Sequence, residues 1–232
     1  MSRVTLVGAG GLGGPIALSL GAAGMELTIV DHDAVELSNL HRQIQFVAAD
    51  IGQPKAERLA ALVTTRGGTA QARVARWTLP QGDELGGDCD LIVDASDDPA
   101  TKFGVADWAV ANGRPYVIAA ALRYGGNVMC GAPGAACYRC LFEEPVEAAT
   151  CAEAGVLGPV VGAIGGVAAA LSLGLVRADV AYAGALLAFD DLREASEPRI
   201  VRFAPRPGCT ACARAPISPI TKAAAVQVAK GI

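Results

Sequence analysis

The chain has 232 residues, of which 52% are hydrophobic, 18% are charged and 5% are aromatic. This length can bury a large core in one α/β domain, with or without a small appendage. The net charge of −4 offers no basic surface for nucleic acid or for an anionic membrane, so we expect neither as a partner. The 28 glycines indicate tight turns and close helix–sheet packing, as in a doubly wound sheet.

A glycine-rich turn near the N-terminus lies between a strand pattern and a helix pattern. The β-branched run Arg3–Val7 predicts a strand, and the apolar run over residues 16–24 predicts a helix. Gly8, Gly10 and Gly13 separate them with the spacing G-x-G-x-x-G. The first glycine allows a tight turn, the second lets backbone amides approach a phosphate, and the third lets the helix pack on the strand.

The strand predicted over residues 27–31 ends in Asp31, at the distance from the glycines where a carboxylate can bind a ribose hydroxyl. Strand, glycine turn, helix and acid-ended strand together predict a nucleotide site. A purely structural glycine turn is the alternative. The pattern does not identify the nucleotide.

The polar segment that follows, residues 32–43, is a second candidate for phosphate binding. Ser38 or Asn39 can cap a short helix, which would present Arg42 and Gln43 one turn later, toward the strand ends. An arginine at that place suits a triphosphate. A polar surface loop is the alternative.

A helix predicted over residues 53–63 carries Pro54 in its first turn and Lys55 beside it. A cation at a helix N-terminus opposes the helix dipole, so Lys55 is unfavourable there unless an anion joins it. A solvated surface lysine is the ordinary alternative.

Three acids follow the strand predicted over residues 90–94, which itself comes after a strand predicted over residues 70–75. Ligands bind outside the carboxyl ends of parallel strands, so Asp94, Asp97 and Asp98 should gather beside the glycine turn. Three acids would repel a phosphate unless a divalent cation such as Mg²⁺ joins them. The alternative is that one of them caps the helix predicted over residues 101–111.

Strands predicted over residues 116–121 and 126–130 are joined by a turn that contains two glycines. This pattern predicts a hairpin, and hence an antiparallel edge on a parallel sheet.

Residues 155–176 carry no charge and are long enough to span a bilayer. Their glycines and proline make a poorly hydrophobic span, so we predict a helix buried in the core or in a subunit interface. The N-terminal apolar run coincides with the glycine turn rather than with a signal peptide, so we expect a cytoplasmic protein.

Two C-x-x-C pairs, Cys137 with Cys140 and Cys209 with Cys212, are flanked by glycine and proline. Four thiolates complete a tetrahedral zinc site and leave no position for water, so the site would be structural. A redox pair and disulfides are the alternatives, and the lack of an export signal argues against disulfides.

The remaining cysteines differ in their surroundings. Cys89 and Cys130 lie within or beside apolar strands and are predicted to be core residues. Cys151 lies in a polar connection before the long apolar helix, where an exposed thiol could act as a nucleophile. The flanking Glu147 and Glu153 disfavour its thiolate form.

Taken together, these motifs closely resemble the ThiF/MoeB/HesA adenylyltransferases, the bacterial relatives of ubiquitin-activating enzymes. The resemblance extends from about residue 3 to residue 214 and rests on residues 8–15, 31–33, 36–43, 52–55, 94–97, 137–142 and 151–159. It implies a Rossmann-like, doubly wound α/β fold with a mostly parallel sheet, antiparallel edge strands and a structural zinc knuckle. We expect one domain over residues 1–232, with a nucleotide-binding half at 1–135 and a zinc-stapled, carrier-binding half at 136–232.

The resemblance also implies an activity. ATP would adenylate the C-terminal Gly-Gly carboxylate of a small β-grasp, ubiquitin-like sulfur-carrier protein, with release of pyrophosphate, for thiamine, molybdopterin or other thiocarboxylate-dependent pathways. ATP, Mg²⁺ and Zn²⁺ are the implied cofactors, and a homodimer is the implied assembly.

Residue roles carry over at the matching positions. Asp97 would bind Mg²⁺, and Cys151 corresponds to the reactive cysteine of the family. The implied catalytic residues are Arg42, Lys55, Asp97 and Cys151. The implied nucleotide contacts are Gly8, Gly10, Gly13, Asp31, Ser38, Asn39, Arg42, Gln43, Lys55, Asp97 and Asp98.

Four features depart from the family pattern. The chain starts at its first predicted strand, whereas family members commonly begin with a helical segment whose arginine reaches the partner subunit's site. Asp98 stands where asparagine is usual, and Lys102 replaces a common arginine. The chain ends at Ile232 without a sulfurtransferase domain, so we expect a separate sulfur donor.

Two other functions remain open from the sequence. An NAD(P)-dependent oxidoreductase would explain the glycine turn and Asp31, but it leaves Arg42, Lys55 and Asp97 without roles. A catalytically weakened binding module would explain all of the motifs except the intact Asp97 and Cys151.

Overall fold

A computed structural model of the chain describes residues 1–145, 155–195 and 197–214. Its centre is an eight-stranded sheet with the order β3-β2-β1-β4-β5-β6-β7-β8. The strands are β1 (Arg3–Val7), β2 (Glu26–Val30), β3 (Thr69–Arg73), β4 (Leu91–Asp94), β5 (Tyr116–Leu122), β6 (Gly125–Gly131), β7 (Ala185–Phe189) and β8 (Arg199–Arg202). The helices are α1 (Gly13–Ala22), α2 (Lys55–Thr65), α3 (Gly82–Gly86), α4 (Pro99–Ala111), α5 (Tyr138–Leu141) and α6 (Gly158–Val176).

The first five strands are parallel, and the strand order reverses at β1. From β1 the chain moves outward through β2 and β3 on one side, and then through β4 and β5 on the other. Such a switch point opens a crevice between the two crossover connections at the carboxyl ends of the strands. The end of β1 is therefore the place where this fold most readily binds a ligand.

The other part of the sheet is antiparallel. β5 and β6 form the predicted hairpin through Arg123 and Tyr124, and β7 and β8 continue the sheet beyond it. The predicted fold class, a mostly parallel doubly wound sheet with antiparallel edge strands, is confirmed. The sequence analysis did not predict β7 or β8.

Alternate residues of the strands pack against helices on opposite faces. On β5, Val117 joins the core formed with α1, α2 and α6, whereas Ile118 joins the core formed with α3 and α4. Because both faces of the central strands are covered, these strands are apolar throughout rather than alternating. On the second face, Trp77 and Trp108 pack edge to face with ring centroids 5.8 Å apart.

Several predicted boundaries need correction. Helix α1 begins at Gly13 rather than at residue 16, and α4 begins at Pro99 rather than at residue 101. Strand β3 ends at Arg73 rather than at residue 75, because the Ala75 amide donates to the Arg73 carbonyl oxygen and turns the chain. This turn directs the next residues toward the crevice.

Helix α6 packs on α1 and on the antiparallel hairpin. A Cβ atom at Gly165 would lie 2.6 Å from Pro15 Cγ and 3.1 Å from the Leu12 carbonyl oxygen, so the two helices touch through their backbones. Within the described residues, α6 is the helix that is long and apolar enough to span a membrane by length and composition. Buried residues such as Ile164 face the core, Val167 and Leu171 are partly buried and pack against it, and Ala163 and Ala170 are exposed.

Candidate active site

A cavity of about 720 Å³ lies at the carboxyl ends of the strands. Its lining joins two regions: the glycine turn with the ends of β2 and β4, and the ends of β5, β6 and β7. Volumes of 300 to 1,000 Å³ are typical of small-molecule sites. The cavity therefore has room for a nucleotide in the first region and for a further group in the second.

The glycine turn forms one wall of the first region. Gly8 has φ +97° and lies against the backbone after β4, where a Cβ atom would come within 2.8 Å of Ser96 N. A Cβ atom at Gly13 would collide with the Gly8 carbonyl oxygen. Gly10 differs, because the nearest atom to a Cβ atom there would be Gln43 Nε2 at 3.6 Å. The packing of the chain requires glycine at positions 8 and 13, while Gly10 keeps the backbone open to the cavity.

Asp31 connects the end of β2 to this turn. Its carboxylate accepts hydrogen bonds from Ala9 N at 2.6 Å and from Asp33 N at 2.7 Å. Burial raises the pKa of Asp31, although these amides and the charge of Lys55 act against the shift. The carboxylate lines the cavity and keeps acceptor positions beyond these two bonds.

Lys55 is buried, with 6% exposure, at the start of α2. Its Nζ donates to Asp33 Oδ2 at 2.9 Å. The Asp33 carboxylate therefore supplies at least part of the negative charge expected beside this lysine. Burial acts to raise the pKa of Asp33, but the hydrogen bond and the charge of Lys55 outweigh it, and the pKa is lowered. Lys55 lines the cavity and has two further N–H donors.

Ser38 and Asn39 do not cap a helix, contrary to the prediction. Both lie inside a 3₁₀ turn, Leu37–Asn39, and both donate to the Glu36 carboxylate, at 3.1 and 3.4 Å. The residue at the N-terminal cap position of this turn is Glu36. Neither residue lines the cavity.

Arg42 and Gln43 do reach the cavity, as predicted. Asn39 supports Arg42, whose Nη2 donates to Asn39 Oδ1 at 2.6 Å. Gln43 is buried, and its Oε1 has no hydrogen-bond partner within the described parts of the chain. A buried amide oxygen without a partner costs free energy, so this atom is suited to accept a donor from a ligand.

The three acids after β4 have three different environments. Asp94 is 0% exposed, and its Oδ2 accepts a hydrogen bond from Lys102 Nζ at 2.7 Å. Burial raises the pKa of Asp94, and Lys102 counters the shift. Asp94 is therefore a buried structural acid outside the cavity lining, which corrects the expectation that all three acids gather at the phosphate site.

Asp98 is the acid that caps a helix. Its carboxylate accepts from Ala100 N and Thr101 N at 3.2 Å and from Thr101 Oγ1 at 2.7 Å, which confirms the predicted capping alternative for α4. Burial acts to raise the pKa of Asp98, but these hydrogen bonds outweigh it, and the pKa is lowered.

Asp97 is exposed in the cavity lining, and no hydrogen bond or ion pair within the described residues engages it. Mg²⁺ takes one or two carboxylates together with phosphate oxygens. A single free carboxylate beside the glycine turn fits that requirement.

One cation of this region was missed. Arg76 follows the turn after β3, lines the cavity, and donates from Nη2 to His32 Nε2 at 2.8 Å. The rule that ligands bind at the carboxyl ends of parallel strands could have indicated Arg76, because this residue directly follows the strand predicted over residues 70–75.

The second region of the cavity is lined by small and apolar residues. Gly125 and Gly126 lie so close to neighbouring backbone, the Phe189 and Ala120 carbonyl oxygens respectively, that neither position admits a Cβ atom. Asp190 and Arg199 form an ion pair of 3.1 Å in the same lining. A lining with glycines and alanines such as Ala120, Ala121, Gly125 and Gly126 suits an extended chain that approaches the sheet backbone closely.

The four cysteines of the C-x-x-C pairs lie together outside the cavity lining. Neighbouring Sγ atoms are 3.5 to 3.7 Å apart, and all four lie within 4.8 Å of one another. Zn–S bonds of about 2.3 Å place tetrahedral sulfur ligands about 3.8 Å apart. The donor set and spacing fit zinc, and the distances are far longer than a disulfide bond of about 2.05 Å. The four residues that could hold the ion are Cys137, Cys140, Cys209 and Cys212.

The structure describes two of the other cysteines, and both are core residues, as predicted. Cys89 and Cys130 are buried in the core, and burial raises the pKa of Cys130 to about 12. Cys151 lies outside the described residues, so its role stays a prediction.

Comparison with known proteins agrees with the predicted resemblance. The model of the ThiF family matches residues 1–211. The adenylyltransferase and sulfurtransferase MOCS3 of Caenorhabditis briggsae is 38% identical over 225 residues, which cover 93% of this chain and 56% of that protein. The adenylyltransferase and sulfurtransferase uba4 of Neosartorya fischeri is 40% identical over 177 residues, which cover 71% of this chain and 35% of that protein.

This chain spans about half the length, or less, of the curated relatives it matches. The predicted class of enzyme, an adenylyltransferase, agrees with their names. Among solved structures, E. coli MccB with ATP superposes with a TM-score of 0.78 at 18% identity, over 91% of this chain and 67% of that chain. This likeness confirms the fold.

Proposed function

Since this chain belongs to the ThiF family, we propose that it uses ATP to adenylate the C-terminal carboxylate of a small ubiquitin-like carrier protein. The observation that supports this proposal is the composite cavity. One region offers a glycine turn, buried or supported cations and one free carboxylate, and the adjoining region offers a lining rich in glycine and alanine. An oxidoreductase would leave the second region and the phosphate-facing cations without a role.

The reaction needs charge neutralisation and positioning. A carboxylate oxygen of the carrier attacks the α-phosphorus of ATP in line, the bond from that phosphorus to the β-phosphate oxygen breaks, and pyrophosphate leaves with the electron pair. Both reactants are anions, so the protein must hold them together and stabilise the charge on the transferring group.

The chemistry of each cavity residue suits it to a particular part of this reaction. Lys55 and Arg42 supply positive charge for the phosphates, and the unpartnered Gln43 Oε1 is suited to accept from the nucleotide. Asp31 is suited to a ribose hydroxyl. Asp97 would hold Mg²⁺, which when bound neutralises phosphate charge.

The second region, with glycines and alanines in its lining, suits a Gly-Gly terminus, since glycine has no side chain to keep its backbone away from the sheet. A persulfide from a separate sulfur donor would then displace AMP from the acyl-adenylate to give an acyl disulfide, and attack of a thiol on that disulfide would release the thiocarboxylate and leave a disulfide on the donor side. Cys151 is the proposed thiol acceptor of the acyl group or of the sulfur. Zinc at the four cysteines would hold the segment around Cys209 against the segment around Cys137.

The test of this function is exchange of labelled pyrophosphate into ATP. We expect exchange with a small carrier protein that ends in Gly-Gly, and none with the same carrier amidated at its C-terminus, because amidation removes the attacking carboxylate. Intact-mass analysis of the wild type and of Cys151→Ala would detect any covalent carrier adduct. ATP turnover that is indifferent to the carrier terminus would refute the proposal.

We further propose a homodimer, which buries the apolar surface left exposed by one chain. Ile44 is 77% exposed and Val47 is 60% exposed in the segment before α2, and the exposed positions of α6 carry the small uncharged residues Ala163, Gly166 and Ala170. Apolar patches of more than a few hundred Å² normally mark an interface.

We expect light scattering to give twice the chain mass at micromolar concentration, and the variant Ile44→Glu to give a monomer. Val74 is a matched control, an exposed apolar residue in the turn after β3, and Val74→Glu should stay dimeric. A monomeric wild type would contradict the proposal.

A further inference from the structure

A buried ammonium group lies directly beneath the candidate metal-binding acid. Lys102 of α4 is 7% exposed, and its Nζ donates three hydrogen bonds of 2.7 Å each. The acceptors are Asp94 Oδ2, the Ser96 carbonyl oxygen and the Ala119 carbonyl oxygen. All three ammonium protons are thereby used, so Lys102 is not available as a phosphate ligand.

Two of the acceptors lie at or next to the two regions of the cavity. The Ser96 carbonyl is part of the peptide bond that leads to Asp97, so its hydrogen bond fixes the orientation of that peptide. The Ala119 carbonyl lies on β5, immediately before residues 120–122 of the second region. One side chain therefore connects the turn that carries Asp97 to the strand that lines the carrier side.

Other contacts reinforce the same turn. Ser96 Oγ donates to Asp94 Oδ1 at 2.7 Å, and Gly8 packs against the backbone of Ala95 and Ser96 from the opposite side. Asp97 itself makes no such contact within the described residues. The turn is held firmly, and its one free carboxylate faces the cavity.

A purely structural role explains this lysine poorly. Strands β4 and β5 already pair in parallel register, with Asp94 opposite Ile118, so the sheet does not need the ammonium to hold them. A buried charge carries a large desolvation cost, and an apolar residue of similar volume would often serve stability as well or better. What an apolar residue cannot provide is three directed donors to three separate acceptors.

We propose that Lys102 is a positioning residue that holds Asp97 and the end of β5 in a fixed relation, and so aligns the metal-bearing nucleotide with the carrier terminus. This inference rests on the proposed adenylation for its carrier part. The component that concerns Mg²⁺, the orientation of Asp97 by Lys102, does not depend on which acyl group is activated.

The test compares nucleotide binding with and without Mg²⁺ by calorimetry. In the double variant Asp94→Asn and Lys102→Met, both charges are removed together, so no unpaired buried ion remains. We expect the strengthening of ATP binding by Mg²⁺ to fall about tenfold or more and the KM for the carrier to rise about fivefold. ATP binding without Mg²⁺ should change less than twofold.

A matched control removes a buried polar contact elsewhere in the sheet. Thr5 Oγ1 donates to the Gly86 carbonyl oxygen at 3.0 Å. Thr5→Val should lower the unfolding temperature without changing the Mg²⁺ effect or the carrier KM. This comparison separates positioning from a general loss of stability.

A folded double variant with both values within twofold of the wild type would overturn the proposal. If the double variant does not fold, Lys102→Arg decides, because it keeps the charge beside Asp94 but displaces the donors. In Lys102→Arg we expect the strengthening of ATP binding by Mg²⁺ to fall three- to tenfold. The same strengthening as in the wild type would also overturn the inference. If the wild type shows no carrier-dependent exchange, the proposed function is refuted. The ratio of the ATP affinities with and without Mg²⁺ would still test whether Lys102 positions Asp97.

Discussion

Asp97→Ala is expected to lower carrier-dependent ATP–pyrophosphate exchange by about 100-fold or more. Removal of one preorganised group that stabilises transition-state charge commonly costs about 10² to 10³ in rate, and a lost metal ligand acts on the same charge. Asp97 is the acid of this turn that is free, because Asp94 is bound to Lys102 and Asp98 caps α4. The loss should therefore not be compensated by a neighbour.

The fold should not suffer from this substitution. Asp97 is exposed and makes no hydrogen bond within the described residues, so the free energy of unfolding should change by less than about 0.5 kcal/mol. Asp88 is a matched control, an exposed acid in the loop before β4, and Asp88→Ala should leave exchange unchanged. Exchange by Asp97→Ala within twofold of wild type would remove Asp97 from the proposed chemistry.

The central strands were predictable because their signals are local. The run Arg3–Val7 and the glycines after it specify a buried strand and a tight turn by themselves, and the structure has β1 over the predicted residues. The hairpin of β5 and β6 was predictable for the same reason, since its turn lies within the segment.

The last two strands were not predictable in this way. β8, the sequence Arg199–Arg202, is short and carries a charge at each end, so nothing in its own pattern indicates a strand. It exists as a strand through pairing with β7, which in turn pairs with β6. Information of this kind lies in tertiary contacts.

In the candidate site, too, some features follow from local sequence signals and others depend on tertiary contacts. Residue types and strand ends correctly brought Arg42, Gln43, Lys55 and Asp97 to one cavity. Of the three neighbouring acids, Asp94 is not free because it is bound by Lys102, whose Nζ also donates to the Ala119 carbonyl oxygen on another strand. Spacing in the sequence does not encode that contact.

Loss of the four-cysteine site is expected to have the largest effect on stability. We expect about one zinc per chain, and we expect Cys209→Ser to lower both zinc content and the unfolding temperature. A structural zinc site contributes directly to folding free energy, and about 4 kcal/mol lost from a domain of this size corresponds to about 8 to 16 °C. Without metal, four thiols remain packed within 4.8 Å of one another.

The contacts around the site indicate which part of the chain should be released first. The segment that carries Cys209 and Cys212 is otherwise held to the Cys140 side by Arg206, which bonds the Arg139 carbonyl oxygen and the Glu143 carboxylate. Surface ion pairs of this kind are worth little. Hydrogen exchange should therefore show early opening at residues 203–214 in the variant, while β1 stays protected.

A buried cysteine outside the cluster provides the control. Cys130 lies in the core of β6, and Cys130→Ala should retain one zinc per chain and show no early opening at residues 203–214. ATP binding should survive in Cys209→Ser at temperatures where the protein is folded, because the cluster contributes no residue to the cavity lining. A metal-free wild type with the same unfolding temperature as the zinc-loaded protein would show that the four thiols do not form a structural zinc site.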